Sequence, residues 1–341
     1  MPGYSRRTFL NLLAITGLSS PTWAQAPKLI TPEAQASIQR GLLWLTGRQH
    51  ENGSFGSVSR YRENVGVTAL CGLALLSSGS TPARGPHGGA LTRGIDYLLH
   101  CCTPTGYIIE NQSEAESPMY GHGFATMFLA EALGMSDRED LAKAVRKAVA
   151  LIIQTQNDEG GWRYFPTPKE ADISVTVCQL MALRAARNTG ISVPKETIDR
   201  GVDYIQRCQN PDGGFRYRLF ESQESRFARS AAAVAALYTS GVHEGPVLDK
   251  GRAYLRRFLP GPRVMAESDF HQYGHYYAVQ AAWHAGGDYW DTWYPAIRQE
   301  LIREQSPDGS WHDIWIGNEY GTAMALIVLQ TPNHLLPIFD R

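Results

Sequence analysis

Two kinds of apolar segment alternate along the chain. In the first, apolar residues fall three and four apart, as in Gly41-Leu42-Leu43-Trp44-Leu45 and Gly201-Val202-Asp203-Tyr204-Ile205-Gln206. That spacing predicts helices with one buried face, and their other face is charged, for instance at Lys143, Arg146 and Lys147. In the second kind nearly every residue is apolar or small: Thr68 to Leu75, Ser230 to Leu237 and Thr322 to Leu329. A helix without a polar face must be buried on most sides. Several of these segments close on a glycine, at Gly79, Gly134, Gly190, Gly241 and Gly286, the residue helix C-termini favour.

Between the members of each pair lies a glycine turn. The turns contain Asn52-Gly53-Ser54-Phe55, Thr105-Gly106-Tyr107, Glu159-Gly160-Gly161-Trp162, Asp212-Gly213-Gly214-Phe215, Pro260-Gly261-Pro262 and Asp308-Gly309-Ser310-Trp311. Their first glycines, at 53, 106, 160, 213, 261 and 309, are separated by 53, 54, 53, 48 and 48 residues. A fixed period of this length marks a repeat architecture. Six helix pairs with buried second helices predict an all-α closed toroid, (α/α)6, with the second helices as its inner ring; an open stack of the same pairs is the alternative.

The N-terminus changes the domain picture. Ser5-Arg6-Arg7-Thr8-Phe9-Leu10 precedes an apolar run from Leu12 to Leu18 and then Ala24-Gln25-Ala26. Basic, apolar and cleavable segments in that order read as an export signal, and the paired arginines resemble the twin-arginine class. Residues 1–26 are therefore expected to be a signal peptide, residues 27–341 one toroid domain, and the location periplasmic. No later segment reaches the roughly 20 apolar residues of a membrane span. With 32 basic and 33 acidic residues the net charge is -1, so no basic field speaks for nucleic acid. Five cysteines, of which Cys101 and Cys102 are adjacent, lack paired metal-ligand spacing.

The strings Gln154-Thr155-Gln156-Asn157-Asp158-Glu159-Gly160-Gly161-Trp162, Gln209-Asn210-Pro211-Asp212-Gly213-Gly214-Phe215 and Gln305-Ser306-Pro307-Asp308-Gly309-Ser310-Trp311 resemble the Gln-to-Trp repeat of squalene-hopene cyclases. Protein prenyltransferase β-subunits carry it more loosely. Gln49 to Phe55 is a fourth copy, while the second and fifth turns are degenerate. In the motif Gln bonds neighbouring backbone, Asp or Asn with Gly makes the turn, and the aromatic packs between repeats. The resemblance implies the toroid and parallel inner helices whose N-termini gather at a pocket mouth. Six positive helix ends there would favour anions.

The openings of the second helices are accordingly the candidate site: Glu63-Asn64, Tyr120-Gly121-His122, Asp172-Ile173-Ser174, Arg226-Phe227-Ala228-Arg229, Tyr273-Gly274-His275 and Asn318-Glu319-Tyr320. Asp172, His122 and His275 are the proton-transfer candidates. Tyr120, Arg226, Arg229, Tyr273, Glu319 and Tyr320 are the candidate ligand-binding residues, the arginines for an anionic head. The cyclases' Asp-x-Asp-Asp acid motif is reduced here to Asp172-Ile173-Ser174-Val175-Thr176, and a lone carboxylate at a helix N-terminus is expected to be readily ionised. Tyr273-Gly274-His275 resembles the opening that carries the prenyltransferase zinc histidine, but Arg226-Phe227-Ala228-Arg229 stands where Asp and Cys should lie. His122 with His275 and Asp269 or Glu319 is a weaker metal set. No metal and no cofactor is assigned.

These readings converge on an exported, terpene-cyclase-like or prenyltransferase-like barrel that accepts an isoprenoid or other amphipathic small molecule. Whether it catalyses is open; a catalytic version would be a terpene-cyclase-like isomerase or lyase. The alternatives are a carbohydrate-active lyase or hydrolase on the same toroid and a non-catalytic binding or scaffold protein. Oligomeric state is not legible.

Overall fold

The computed structural model of the chain describes residues 29–82, 84–110, 117–261 and 270–339. The proposed signal peptide lies outside them. Twelve α-helices occupy the described residues, and no β-strand does. They are α1 Pro32–Thr46, α2 Val65–Leu76, α3 Gly88–His100, α4 Pro118–Leu133, α5 Glu139–Gln154, α6 Ile173–Asn188, α7 Lys195–Arg207, α8 Phe227–Thr239, α9 Pro246–Leu255, α10 His271–Ala285, α11 Gly287–Glu304 and α12 Asn318–Gln330.

The even-numbered helices close a ring. Each packs on the next, from α2 through α12, and α12 packs back on α2. The odd-numbered helices lie outside them, each against an inner helix, so the open stack is excluded. Residue type explains the two layers. Every residue of α2 is buried, whereas α7 buries only the stripe Thr197, Ile198, Gly201, Tyr204 and Ile205. Small residues bring the inner helices close together: a Cβ on Gly66 would lie 3.3 Å from the Cα of Gly121.

One motif joins three helices. Gln156 Nε2 donates to the Gly160 carbonyl at 2.8 Å and to the Thr197 carbonyl at 2.9 Å, clasping the turn to the start of α7. Trp162 Nε1 donates to Ile152 on α5 at 2.7 Å, and the Trp162 backbone N–H donates to Thr176 Oγ1 on α6 at 3.1 Å. Gly160 adopts φ 96°, and an added Cβ would lie 2.3 Å from the Arg200 carbonyl oxygen. Only glycine satisfies both the left-handed backbone and that approach. Gln49, Gln209 and Gln305 make the same clasp to the Ala90, Val247 and Ser37 carbonyls. The last of these ties the sixth turn to α1 and completes the outer ring.

Below its open end the ring is plugged with aromatic rings. Phe124 of α4 meets Tyr276 of α10 across the ring at 6.4 Å between centroids, and Tyr276 meets Phe339 at 6.2 Å.

Candidate functional site

A large concavity opens at the N-terminal ends of the inner helices and has a volume of about 1220 Å³. Leu70 and Phe124, six or seven residues into α2 and α4, mark its depth, and the aromatic plug forms its floor. Its wall is rich in tyrosine: Tyr120, Tyr164, Tyr217, Tyr273 and Tyr320. Burial raises the pKa of Tyr120, Tyr273 and Tyr320, so these phenols stay neutral.

Of the residues expected to bind ligand, Tyr120, Arg226, Arg229, Tyr273 and Tyr320 line this cavity. Glu319 does not. It is a buried residue of the first turn of α12 that does not line the cavity, and its Oε1 accepts from Arg48 Nε at 3.3 Å. The arginines are also not presented as bare cations. Glu224 pairs with Arg226 at 3.0 Å and with Arg229 at 3.4 Å, and Arg229 Nε donates to the Phe215 carbonyl at 3.0 Å.

The three proton-transfer candidates are not brought together. Helices α4 and α10 stand on opposite sides of the ring, so His122 and His275 cannot share a ligand set. Successive residues on a helix turn by about 100°, so a histidine two places after an inward tyrosine points about 200° away. That is the arrangement in both Tyr120-Gly121-His122 and Tyr273-Gly274-His275, where tyrosine reaches the cavity and histidine does not. His122 Nδ1 accepts the Ile108 backbone N–H at 3.2 Å. Thr68, Thr176, Ser230 and Thr322 accept the matching turn N–H of Phe55, Trp162, Phe215 and Trp311. His122 is thus the second repeat's version of a structural acceptor, and burial lowers its pKa to about 4. His275 packs behind the wall against Phe227 and Trp293, its ring centroids 5.0 and 6.0 Å from theirs. Asp269 lies outside the described residues.

Asp172 caps α6, its Oδ1 accepting the Val175 N–H at 2.9 Å. The expectation of easy ionisation at a positive helix end does not hold. The side chain is completely buried, and desolvation raises its pKa to about 6 against the helix N–H groups, Arg163 and the Tyr217 hydroxyl. Its Oδ2 is buried without a hydrogen bond of ordinary geometry. Asp172 does not itself line the cavity. Tyr217 does, and its hydroxyl is hydrogen-bonded to that of Tyr164.

Several cavity residues escaped the sequence reading. Tyr164 and Tyr217 carried a usable signal, since each stands two places after a motif aromatic in the repeated Gly-aromatic-Arg-Tyr of 161–164 and 214–217. Glu63, at the first of the openings that the sequence marked, and Glu110, which it did not mark, both add carboxylates at the mouth. Glu63 has a left-handed backbone, φ 52°, and its carbonyl accepts the Tyr97 hydroxyl. Glu110 is open to the cavity yet surrounded by protein, which raises its pKa, and it accepts from Asn64 Nδ2 at 2.6 Å and from the Val65 N–H at 3.3 Å. No signal in the sequence marked Glu110. Cys101 and Cys102 are not bridged.

Comparison with known proteins agrees with this architecture. Drimenyl diphosphate synthase from Streptomyces showdoensis is 32% identical over 82 residues, 24% of this chain and 15% of that enzyme. Protostadienol synthase A from Arthroderma gypseum is 29% identical over 101 residues, 26% of this chain and 13% of that enzyme. These matches therefore span a small part of the relatives' length. In three dimensions the type II terpene cyclase MstE from Scytonema superposes with a TM-score of 0.61 at 18% identity, over 90% of this chain and 100% of the cyclase. An alpha-1,6-mannanase from Salegentibacter sp. HEL1_6 superposes with a TM-score of 0.66 at 10% identity, over 89% of this chain and 99% of the mannanase. At such identities both show the fold alone. The prenyltransferase alpha-alpha toroid domain matches residues 44–259, and the chain belongs to that family.

Proposed function

We propose that this chain is an exported toroid that binds an isoprenoid or another amphipathic molecule in its central cavity. The observation that carries the reading is the blind, tyrosine-walled cavity with an aromatic floor. A long apolar ligand buried there gains about 25 cal/mol for each Å² removed from water, while its polar end stays at the mouth among Glu63, Arg226 and Glu224. The rim supports the same ligand class. Phe220 is 89% exposed and Trp315 62%, each next to a cavity residue, as are the exposed Val58 and Phe165. Exposed apolar residues gathered around one mouth suit a ligand drawn from an apolar phase. No described helix is long and apolar enough to cross a membrane.

If the cavity is catalytic, the acid is Asp172 acting through Tyr217. A carboxyl with a pKa of about 6 holds its proton through part of the neutral range, and the Tyr217 hydroxyl stands between it and the ligand space. The proton would leave the tyrosine and be replaced from Asp172.

The carbohydrate-active alternative draws on the carboxylates Glu63 and Glu110 at the mouth. It is the weaker reading, because Glu110 is already engaged with Asn64 and the first N–H of α2.

The decisive experiment is lipid extraction and native mass spectrometry of the exported protein, followed by titration with geranylgeraniol and with alpha-1,6-mannotriose. Co-purified or titrated isoprenoid binding that is lost in Phe124→Arg is the expected result. Saturable binding of the trisaccharide without isoprenoid binding would remove this reading. Export is tested separately: Arg6→Lys with Arg7→Lys should leave the precursor inside the cell, and undiminished export would refute the twin-arginine route.

A further inference from the structure

One junction of the ring is made differently from the others. At four turns a glutamine amide clasps the next outer helix, and at the second turn Gly106 still lies on the backbone of Lys147. The fifth turn, for which α11 is the next outer helix, has no such glutamine, and a Cβ added to Gly261 would meet nothing within 4 Å among the described residues. What α11 has instead is a pair of glutamates, Glu300 and Glu304, one helical turn apart and facing the histidines His271 and His275, one turn apart on α10.

The donor atoms of His271, His275 and Glu300 all lie within 4.8 Å of one another, and His271 Nε2 is 3.1 Å from Glu300 Oε1. A tetrahedral shell of radius about 2.0–2.1 Å spaces its donors about 3.3 Å apart, so a small side-chain adjustment closes the set. The polar atoms are expensive as they stand. His275 Nδ1, both oxygens of Glu300 and Glu304 Oε1 are buried without hydrogen bonds. Glu300 is 2% exposed, and a buried carboxylate satisfied only by one partly exposed imidazole is costly. A cation among these atoms removes that cost.

We propose that His271, His275 and Glu300, with Glu304 as the fourth donor, bind a divalent transition metal that pins α11 to α10. Two imidazoles with carboxylates form a mixed nitrogen and oxygen set that suits zinc and excludes magnesium and calcium as preferred ions. Phe227 and Trp293 pack against the His275 ring and fix its orientation. The site is not the one the prenyltransferase resemblance implied. It faces α11 rather than the cavity and draws nothing from α8. Its role is to hold the opening of α10, which carries Tyr273 and is preceded by Phe270, both on the cavity wall.

The test uses the purified full chain, stripped with chelator and then incubated with zinc chloride alone. Elemental analysis after desalting should give one zinc per chain, with a raised Tm, and cobalt substitution should give the visible absorption of a four-coordinate site. Glu300→Gln and the partly exposed His271→Ala should each weaken zinc binding by about 100-fold or more while keeping the helical circular dichroism. Failure of the stripped wild-type protein to take up zinc would overturn the proposal. Undiminished uptake by His271→Ala and Glu300→Gln would overturn it equally, placing the metal elsewhere, for instance at Cys101 and Cys102.

Discussion

Gln305 and Ser37, 268 residues apart, are joined twice: Gln305 Nε2 donates to the Ser37 carbonyl at 2.9 Å, and Ser37 Oγ donates to Gln305 Oε1 at 2.8 Å. This is the bond that closes the outer ring. Gln305→Ala removes both contacts and leaves the completely buried Ser37 hydroxyl without its acceptor. A loss of about 2 kcal/mol is expected, which lowers the Tm by several degrees. Amide exchange should accelerate in α1 more than in α7. Uniform acceleration throughout the chain would show that ring closure is not local to this pair.

Two left-handed glycines separate backbone conformation from packing. Gly160 and Gly190 have φ of 96° and 86°, but a Cβ on Gly160 would strike the Arg200 carbonyl at 2.3 Å whereas one on Gly190 meets nothing within 4 Å. Gly190→Ala should cost only the left-handed penalty of about 1–2 kcal/mol. Gly160→Ala must in addition push α7 away from the turn, and its denaturation midpoint should fall well below that of Gly190→Ala. Equal midpoints would mean that the turn does not bear on α7.

The ring was legible because its cause is local and repeated. Four of the six turns carry a glutamine, a glycine and an aromatic at fixed offsets, and each inner helix needs apolar residues on nearly all sides, so both patterns print directly into the sequence. The site was legible only to the nearest turn of helix. The inner-helix openings were correctly located, but which residue of an opening faces inward depends on about 100° per residue, and α4 and α10 begin at Pro118 and His271, before the tyrosines that mark them. Tyr120 and Tyr273 therefore reach the cavity while His122 and His275 turn away. The partnership of His271 and His275 with Glu300 crosses between two helices and has no signature in either.

His122 is a structural acceptor, which fixes its pH behaviour. Its pKa falls from 6.5 to about 4 on folding, so the native state favours the neutral ring. That contribution is complete above pH 6.5 and is lost as the pH falls from 6.5 through 4, a difference of about 3 kcal/mol. His122→Thr supplies the hydroxyl used in four other repeats and should unfold at a lower pH than wild type, with ligand binding at pH 7.5 unchanged. His122→Ala should instead lose about 1–3 kcal/mol at all pH values, because the Ile108 N–H is left unpaired. A His122→Thr protein that folds normally but no longer binds ligand would return His122 to the functional site.

Asp172 has the opposite sign. Folding raises its pKa from 3.8 to about 6, so its contribution to stability is complete below pH 3.8 and is lost as the pH rises through 6. At pH 7 the buried carboxylate is therefore a burden on the fold. Asp172→Asn keeps an N-cap oxygen for the Val175 N–H and removes the charge, so it should stabilise the protein by about 2–3 kcal/mol at pH 7.5 and by little at pH 4. The Arg163 guanidinium remains paired with Glu170 at 3.1 Å and is not orphaned by the change. A stability gain from Asp172→Asn, combined with loss of any acid-dependent turnover and with the same loss in Tyr217→Phe, is the pattern of a carboxyl kept at a cost for proton transfer. If Asp172→Asn instead destabilises the fold at neutral pH, Asp172 is an ion-pair partner, and the proton route through Tyr217 falls with it.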